Sequence, residues 1–298
     1  MGHNNKKKKL FALVAIIVTV IFWGYSFVST KILLEDLPPI TIAFFRQLIA
    51  AAALLTLLYV KKLFVKMPVK DVLLLFASSF FGIVLYFLFE NMGLNYTTAS
   101  NASIIVAAVP IFTLITESLF YKFKITPRVI ICVLVSIVGV FLVIFEKGLD
   151  FSSGYTKGNL LMIGAMVAWV IYTIVCKSLN GKYKGIVITT YQMVAASILF
   201  IPFIIPEMKH WKIIPVYSVA NLLYLALFCS ALAYYLYNVA VNSLGATVSS
   251  MFLNLIPVVS IAGGVLVLKE SVSLIQIGGM LLIMLSLVFI RGRENSIN

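Results

Sequence analysis

Three ionisable side chains, Arg46, Glu90 and Glu117, stand inside long apolar stretches of the sequence. A charge at the depth of a lipid bilayer is unfavourable, so such residues mark ion pairs, ligand paths or proton relays. Arg46, near the beginning of its stretch, and Glu90, at the end of its stretch, are both predicted to lie toward the outer face and to form an ion pair that gates or latches the outer vestibule. The alternative for Arg46 is a guanidinium that extends to the headgroups. Glu90 and Glu117 are candidates for proton coupling, and the alternative for Glu117 is pairing with Lys122 or Lys124 at the interface.

Uncharged polar and aromatic residues form a larger set of candidates for ligand binding. Tyr86 and Glu90 are four residues apart, as are Tyr234 and Asn238, so each pair projects from one face of a helix. The alternatives are headgroup anchoring for the aromatic residues and helix-bridging hydrogen bonds for the asparagines. Together the set predicts a wet central cavity for a small zwitterionic or partly apolar solute. The predicted substrate-binding residues are Trp23, Tyr86, Glu90, Asn91, Asn101, Trp169, Tyr234, Asn238 and Asn254.

The parts of the common catalytic and metal sites are missing from the sequence. The two histidines are His3 and His210, and there is no HExxH, GxSxG or GxxxxGK[ST] motif. These motifs supply the metal ligands, nucleophiles and ATP-binding loops of hydrolases and ATP-driven pumps. The three cysteines lie singly in apolar stretches and are predicted to be small buried residues. We therefore expect no enzyme activity, no metal and no cofactor.

The composition excludes a water-soluble globular protein. Of the 298 residues, 62% are hydrophobic and 11% are charged, against about 45–50% and ~25% in soluble domains. The net charge of +13 comes from short basic clusters between apolar runs and not from one patch. That pattern is typical of loops beside anionic lipid and argues against a nucleic-acid partner.

Ten apolar runs predict an all-α polytopic membrane protein with ten transmembrane helices. A spanning helix needs roughly 20 apolar residues. The run at the N-terminus is predicted to be an uncleaved first span, because it is longer than the apolar core of a signal peptide. The runs cover residues 10–30, 40–60, 71–91, 98–120, 128–145, 158–178, 186–205, 216–238, 246–268 and 273–290.

The distribution of basic residues predicts the orientation of these runs. With the N-terminus inside, the cytoplasmic loops and termini hold 16 lysines and arginines and the opposite side holds six. Cytoplasmic loops are the ones enriched in Lys and Arg. Both termini are therefore predicted to be cytoplasmic.

An internal repeat divides the chain into residues 1–147 and 148–298. Each half holds five runs, an odd number, so the two halves are predicted to have opposite orientations in the membrane. The mid-run prolines of the two halves are predicted to be helix hinges. Shifts of 146 or 147 residues give the equivalent pairs Trp23 and Trp169, Arg46 and Gln192, Asn91 and Asn238, Pro110 and Pro257, and Glu117 and Gly264.

The segment from Asn91 to Pro110 and its counterpart from Asn238 to Pro257 resemble the signature of the drug/metabolite transporter superfamily, and more narrowly of its EamA family. The link Lys269–Ser273, KESVS, is similar to the GERLT-like link of that family, whereas the link Lys122–Thr126 has Phe123 where an acidic residue is expected. The resemblance implies ten helices in two inverted repeats and a cavity among helices one, three, four, six, eight and nine.

This resemblance, with the residues above, predicts a secondary transporter in the plasma membrane of a bacterium. The expected activity is export of a small organic metabolite, with amino acids and related compounds first, by alternating access around a central cavity. The alternatives are a drug or quaternary-cation transporter, a sugar-type transporter, or a passive channel-like facilitator. The expected partners are the solute, the lipid bilayer and, as a candidate coupling ion, protons; no obligate protein partner is expected.

Overall fold

The computed structural model of the chain describes residues 2–109, 111–112, 127–147, 152–179, 182–244 and 252–291. Within these ranges the secondary structure is helical and contains no β-strand. The all-helical part of the sequence prediction is therefore confirmed. The α-helices are α1 (Gly2–Leu33), α2 (Pro39–Lys61), α3 (Val69–Ser79), α4 (Tyr86–Tyr96), α5 (Ala99–Val106), α6 (Pro127–Ile144), α7 (Gly154–Lys177), α8 (Gly185–Ile204), α9 (Val216–Leu223), α10 (Ala233–Leu244), α11 (Ile256–Leu266) and α12 (Leu274–Arg291).

Six helical stretches of the described residues are long and apolar enough to cross a membrane. Three shorter apolar helices, Ile130–Ile144, Ile256–Leu266 and Leu274–Ser286, accompany them. The fourth and ninth predicted runs lie partly outside the described residues, so the count of ten spans stays a prediction. The six long stretches are Lys9–Leu33, Pro39–Lys61, Val69–Tyr96, Gly154–Cys176, Gly185–His210 and Val216–Ala240.

Prolines and hydroxyl side chains set where several of these helices begin. Pro38, Pro68 and Pro215 each occupy the residue before a helix with extended backbone angles, a position where the missing N–H removes no helical hydrogen bond. Thr98 and Ser153 cap α5 and α7 by accepting a backbone N–H of the first turn with their side-chain oxygens. These prolines and hydroxyl residues thus lie directly before the helices that they help to start.

Helices of one half pack against helices of the other half, and the sequence repeat relates one set of these contacts to the other. α1 packs on α10 and α11, while α7, its equivalent in the second half, packs on α4 and α5. In the same way α2 packs on α8, α5 on α11 and α6 on α12. As a result α1, α4, α7 and α10 enclose the middle of the molecule.

Two stretches of π-helix interrupt the long helices that border this middle. One covers Phe80–Leu85, between α3 and α4, and the other covers Tyr224–Leu232, between α9 and α10. A π-helical stretch widens the turn and shifts the hydrogen-bond register, and it is frequent at functional sites.

Helix breaks also occur at equivalent places near the two predicted hinges. α5 ends at Val106 and is followed by a turn at residues 107–108, and a turn at residues 254–255 precedes α11. Pro257 therefore lies in the first turn of α11 and not in the middle of a helix as predicted. Its missing N–H removes no helical bond in that first turn. Pro110 lies outside the described residues.

Candidate functional site

Four of the aromatic residues predicted to bind a solute meet where α1, α4, α7 and α10 approach one another. The ring centroids of Trp23 and Tyr234 are 5.3 Å apart, and those of Tyr86 and Trp169 are 5.2 Å apart. The centroid of the Trp169 ring lies 6.3 Å from that of Trp23 and 6.3 Å from that of Tyr234. The rings are tilted or edge-on, which is the favourable geometry for aromatic pairs.

Sequence reasoning missed two further members of this group. The Tyr172 ring lies 5.0 Å from the Trp169 ring, and the Tyr237 ring lies 5.3 Å from the Trp23 ring. Each follows a predicted residue by three positions, the spacing that places side chains on one helix face, so the signal was present in the sequence. We call the set the aromatic cluster; its members are Trp23, Tyr86, Trp169, Tyr172, Tyr234 and Tyr237.

The π-helical stretches hold the aromatic cluster from two sides. The indole Nε1 of Trp23 donates to the backbone oxygen of Cys229, at 2.9 Å, within the stretch Tyr224–Leu232. Gly82, in the other π-helical stretch, lies so close to Tyr172 that an added Cβ would be 2.2 Å from the ring atom Cδ2. Cys229, like Cys132 and Cys176, is buried with a free thiol, as predicted.

Arg46 and Glu90 lie beside the aromatic cluster without forming the predicted direct ion pair. Arg46 is 2% exposed, its Nε donates to Ser230 Oγ at 2.6 Å, and its Cζ lies 4.2 Å from the centroid of the Phe87 ring. Glu90 is 3% exposed, and its Oε2 has no hydrogen-bond partner. Among the described residues the ion pairs are Lys182–Asp71 and Lys212–Asp36. The serine and the phenylalanine ring orient the guanidinium, whose nitrogen atoms are not within ion-pair distance of the Glu90 carboxylate.

Both residues nevertheless lie next to the aromatic cluster. The Phe87 ring on which Arg46 packs has its centroid 5.1 Å from that of the Tyr86 ring, and Glu90 lies one helical turn after Tyr86. The burial of Arg46 also excludes the alternative in which its guanidinium extends outward to headgroups.

The asparagines predicted to bind a solute fall into different surroundings. Asn91 Nδ2 donates to Pro39 O at 2.9 Å, while its Oδ1 is buried without a partner. Asn238 Nδ2 donates to Thr189 Oγ1 at 3.1 Å. Each asparagine therefore ties a helix beside the aromatic cluster to the start of α2 or α8.

Asn101 lies in a separate hydrogen-bond network and not in the aromatic cluster. Its Nδ2 donates to the Tyr155 hydroxyl and to Val143 O, and its Oδ1 accepts from Gln276 Nε2 at 2.6 Å. These bonds join α5 to α6, α7 and α12. Asn254 lies in the turn before α11 with its Oδ1 buried and unpartnered, and Glu117 lies outside the described residues.

Two glutamates bind helix N-termini at the end of the molecule predicted to face outward. Glu207 accepts from Thr41 N at 2.7 Å and from Thr41 Oγ1 at 2.8 Å, at the start of α2. Glu270 accepts from Ala99 N at 2.8 Å and from Ser100 Oγ at 2.6 Å, at the start of α5. Carboxylates at helix N-termini satisfy free N–H groups and interact favourably with the helix dipole. Sequence reasoning placed Glu270 in a family-like link and missed Glu207.

A related polar contact occurs at each end of the molecule. At the predicted inner end Asp71 accepts from Lys182 Nζ at 3.0 Å and from the Tyr183 hydroxyl at 2.7 Å. At the predicted outer end Asp36 accepts from Ser218 Oγ at 2.6 Å. The shifts that define the repeat place Asp36 on Lys182 and Asp71 on Ser218, so the contact is repeated with exchanged partners.

In chemical terms this arrangement is suited to binding a solute. It offers aromatic faces, one guanidinium and one carboxylate in the middle of a helical membrane protein. Within the described ranges no group of three or more His, Cys, Asp or Glu side chains is placed to hold a metal ion.

Comparison with known proteins gives two matches to one family model. The model, described as the EamA-like transporter family, matches residues 10–145 and again residues 156–292. An uncharacterized transporter of Archaeoglobus fulgidus is 30% identical over 85% of this chain and 86% of its own length. The uncharacterized transporter YetK of Bacillus subtilis is 29% identical over 89% of this chain and 82% of its own length.

Two further similarities concern a named relative and the fold. A protein of Streptantibioticus cattleyicolor named "Probable terminal-alkyne amino-acid exporter" is 26% identical over 84% of this chain and 83% of its own length. A solved crystal structure superposes with a TM-score of 0.68 over 96% of this chain and 98% of that chain, at 15% identity. At that identity the likeness shows a shared fold.

Proposed function

The chain belongs to the EamA-like transporter family, and from that premise we propose that it is a secondary transporter that exports a small organic metabolite. Amino acids and related compounds are the proposed substrate class, and the plasma membrane of a bacterium is the proposed location. The observation that carries the proposal is the aromatic cluster, to which both halves of the chain contribute at the middle of the molecule.

The helix contacts support alternating access by two inverted repeats, residues 1–147 and 148–298. The contacts of α1 with α10 have their counterpart in those of α7 with α4. The breaks at residues 107–108 and 254–255 are also equivalent under the 147-residue shift. Substrate sites of inverted-repeat transporters lie between the repeats, beside interrupted helices.

The chemistry of the middle of the molecule supports an amino acid as the solute. Phosphorylated solutes call for several basic groups, and Arg46 is the basic residue described beside the aromatic cluster. The similar protein named for terminal-alkyne amino-acid export supports the same class.

A quaternary cation is the second candidate substrate. Ring faces attract ammonium groups, and Glu90 would supply the counter-charge. This alternative predicts uptake of singly charged cations that lack a carboxylate.

The test is uptake into proteoliposomes from a mixed pool of amino acids, sugars, quaternary ammonium compounds and common metabolites, read by mass spectrometry. We expect uptake of a few amino acids by the protein and none by protein-free vesicles. Uptake restricted to quaternary ammonium compounds would favour the second candidate. Uptake of none of the pool by folded protein would contradict metabolite export.

Proton coupling through Glu90 or Glu117 is tested in the same vesicles with an imposed pH gradient. We expect the gradient to stimulate uptake, and the stimulation to be lost in Glu90→Gln or in Glu117→Gln. Glu35, an exposed carboxylate of the loop after α1, gives the matched control Glu35→Gln. Full stimulation in both variants would contradict proton coupling through these residues.

A further inference from the structure

We propose that Arg46 and Glu90 form a two-charge site that binds the carboxylate and the ammonium group of one α-amino acid, with its apolar side chain on the aromatic cluster. The site rests on the proposed function, because it specifies the solute that would be exported. It assigns to the two residues a role other than the direct ion pair predicted from sequence.

The guanidinium of Arg46 is held in place with its binding groups free. Its Nε donates to Ser230 Oγ, and its plane is packed near the Phe87 ring. Among the described residues no hydrogen-bond partner is found for the two terminal nitrogen atoms Nη1 and Nη2. Those atoms are the ones that bind a carboxylate in a bidentate manner. Arg46 is therefore oriented by one contact and available for another.

Glu90 is a buried carboxylate with a free oxygen. Its Oε2 is buried and unpartnered, which is unfavourable for an acid group removed from water. A ligand ammonium bound there would supply both a counter-charge and hydrogen-bond donors. The unpartnered oxygen thus points to a cationic ligand group.

Other unpartnered polar atoms occur next to these two residues in sequence. Of the six buried side-chain N and O atoms without partners in the described part of the chain, four belong to Gln47, Glu90 and Asn91. α2 and α4, which carry them, pack against each other. Since buried polar atoms are normally paired, this concentration indicates a place where a polar ligand completes the hydrogen bonds.

The absence of a direct Arg46–Glu90 contact favours a zwitterion over a singly charged ligand. A bound zwitterion pairs both charges at once, whereas an amine or a carboxylic acid leaves one of them buried and unpaired. The side chain of the ligand then meets Tyr86 and Tyr234, because Glu90 lies one turn after Tyr86, and Ser230, which binds Arg46, lies four residues before Tyr234. The predicted ligands are amino acids with apolar side chains.

The first test uses the full-length wild-type protein and three matched ligand series in a binding titration. Leucine is compared with 3-methylbutylamine and 4-methylpentanoate, phenylalanine with phenethylamine and 3-phenylpropanoate, and methionine with its amine and its deaminated acid. We expect at least one amino acid to bind about tenfold or more tightly than both of its singly charged analogues. The site would be overturned if every amino acid that binds were matched in affinity by either of its analogues.

The second test assigns each ligand group to its residue. In Glu90→Gln we expect the preference for the amino acid over the deaminated acid to fall toward one, because the ammonium no longer finds its partner. In Arg46→Gln the preference over the amine should fall toward one instead. Ser230→Ala, which keeps the guanidinium, should weaken amino-acid binding by a smaller factor and covers the case in which Arg46→Gln does not fold.

Matched controls and the remaining outcomes keep the two proposals separate. Glu35→Gln and Lys209→Gln remove exposed charges elsewhere and should keep the wild-type preferences. Wild-type preferences in folded Glu90→Gln would overturn the two-charge site while leaving metabolite export standing. If none of the three series binds, the two-charge site is wrong, and uptake from the mixed pool decides separately whether the chain exports a metabolite.

Discussion

At the scale of single residues, Trp23 has two separable contacts in the aromatic cluster. Its Nε1 donates to Cys229 O, and its ring packs on Tyr234 and Tyr237. Trp23→Phe removes the hydrogen bond and keeps a ring, so the free energy of unfolding should fall by about 1 kcal/mol with uptake retained. Trp23→Ala removes both, and should lower unfolding free energy by about 3–5 kcal/mol and uptake about tenfold or more.

The measurement for Trp23 combines thermal unfolding in detergent with the initial rate of uptake. Tyr191→Phe is the matched control, because it keeps a ring and removes the hydrogen bond from the Tyr191 hydroxyl to Val65 O at 3.1 Å, away from the aromatic cluster and from the contact of Thr41 with Glu207. It should change stability and leave uptake unchanged. Wild-type uptake by Trp23→Ala would show that the aromatic cluster does not bind the solute.

Sequence reasoning identified residue types better than it identified their partners. Trp23 and Trp169 stand out because a tryptophan in the middle of an apolar run is unusual, and the structure places them in contact. The Arg46–Glu90 pair was wrong as a direct contact, and the guanidinium instead binds Ser230, 184 residues away. A serine in an apolar run carries no signal that it faces an arginine on another helix.

At the scale of elements, the π-helical stretch Phe80–Leu85 positions Tyr172 through the absence of a side chain at Gly82. In Gly82→Ala the new Cβ would lie 2.2 Å from the ring atom Cδ2 of Tyr172. The centroid of the same ring lies 5.0 Å from that of the Trp169 ring. The ring must move, so uptake should fall about tenfold, and unfolding free energy should fall by about 1–3 kcal/mol. Uptake rates and thermal unfolding measure the two effects.

Gly278 in α12 provides the matched control for Gly82. A Cβ added there meets nothing within 4 Å, so Gly278→Ala should leave uptake unchanged and raise unfolding free energy by up to about 1 kcal/mol. The prediction is wrong if Gly82→Ala behaves in the same way.

The stability contributed by the contact between the loop after α1 and the start of α9 should depend on pH, because the contact is made by the carboxylate of Asp36. Hydrogen bonds from Ser218 and Tyr217, with the charge of Lys212, hold the pKa of the Asp36 carboxyl below its usual range. The lowered pKa means that this contact stabilises the fold above the ordinary aspartate pKa of about 3.9 and is lost as pH falls through the lowered value. Asp36→Asn should therefore melt below the wild type at neutral pH, and the difference should close below pH ~4.

Melting curves between pH 7 and pH 3 test the Asp36 link. Glu35→Gln, one residue earlier and exposed, should show no such pH-dependent difference. The role of this contact would be contradicted if the difference in melting temperature between the wild type and Asp36→Asn stayed constant down to pH 3.

The boundaries of elements were predictable from sequence, whereas their interruptions were not. Pro38, Pro68 and Pro215 mark helix starts because proline lacks the N–H that a helix interior needs. The π-helical stretches Phe80–Leu85 and Tyr224–Leu232 arise from a shift in backbone register inside apolar sequence. Such a shift depends on packing between helices, so no residue type in the sequence predicts it.

At the scale of the whole molecule, polar contacts join the two halves at both ends. At the predicted outer end Glu207 binds Thr41, and at the predicted inner end Asp71 binds Lys182. Under the proposed mechanism the solute reaches the middle from one end at a time, so one end must open while the other stays closed. Alternating access therefore requires each contact to break once in every cycle, whereas a fixed pore could keep both contacts intact.

Cross-linking of each end separates these two mechanisms. Thr41→Cys with Glu207→Cys, and separately Asp71→Cys with Lys182→Cys, place thiols at the contacts for a short reducible bifunctional reagent. The native cysteines are buried, so reagent-treated wild type is the control. We expect either cross-link to reduce uptake to below about a tenth and reduction to restore it, because a locked end stops the cycle. Undiminished uptake with both ends locked would instead support a channel-like facilitator, in which the solute passes without breaking either contact.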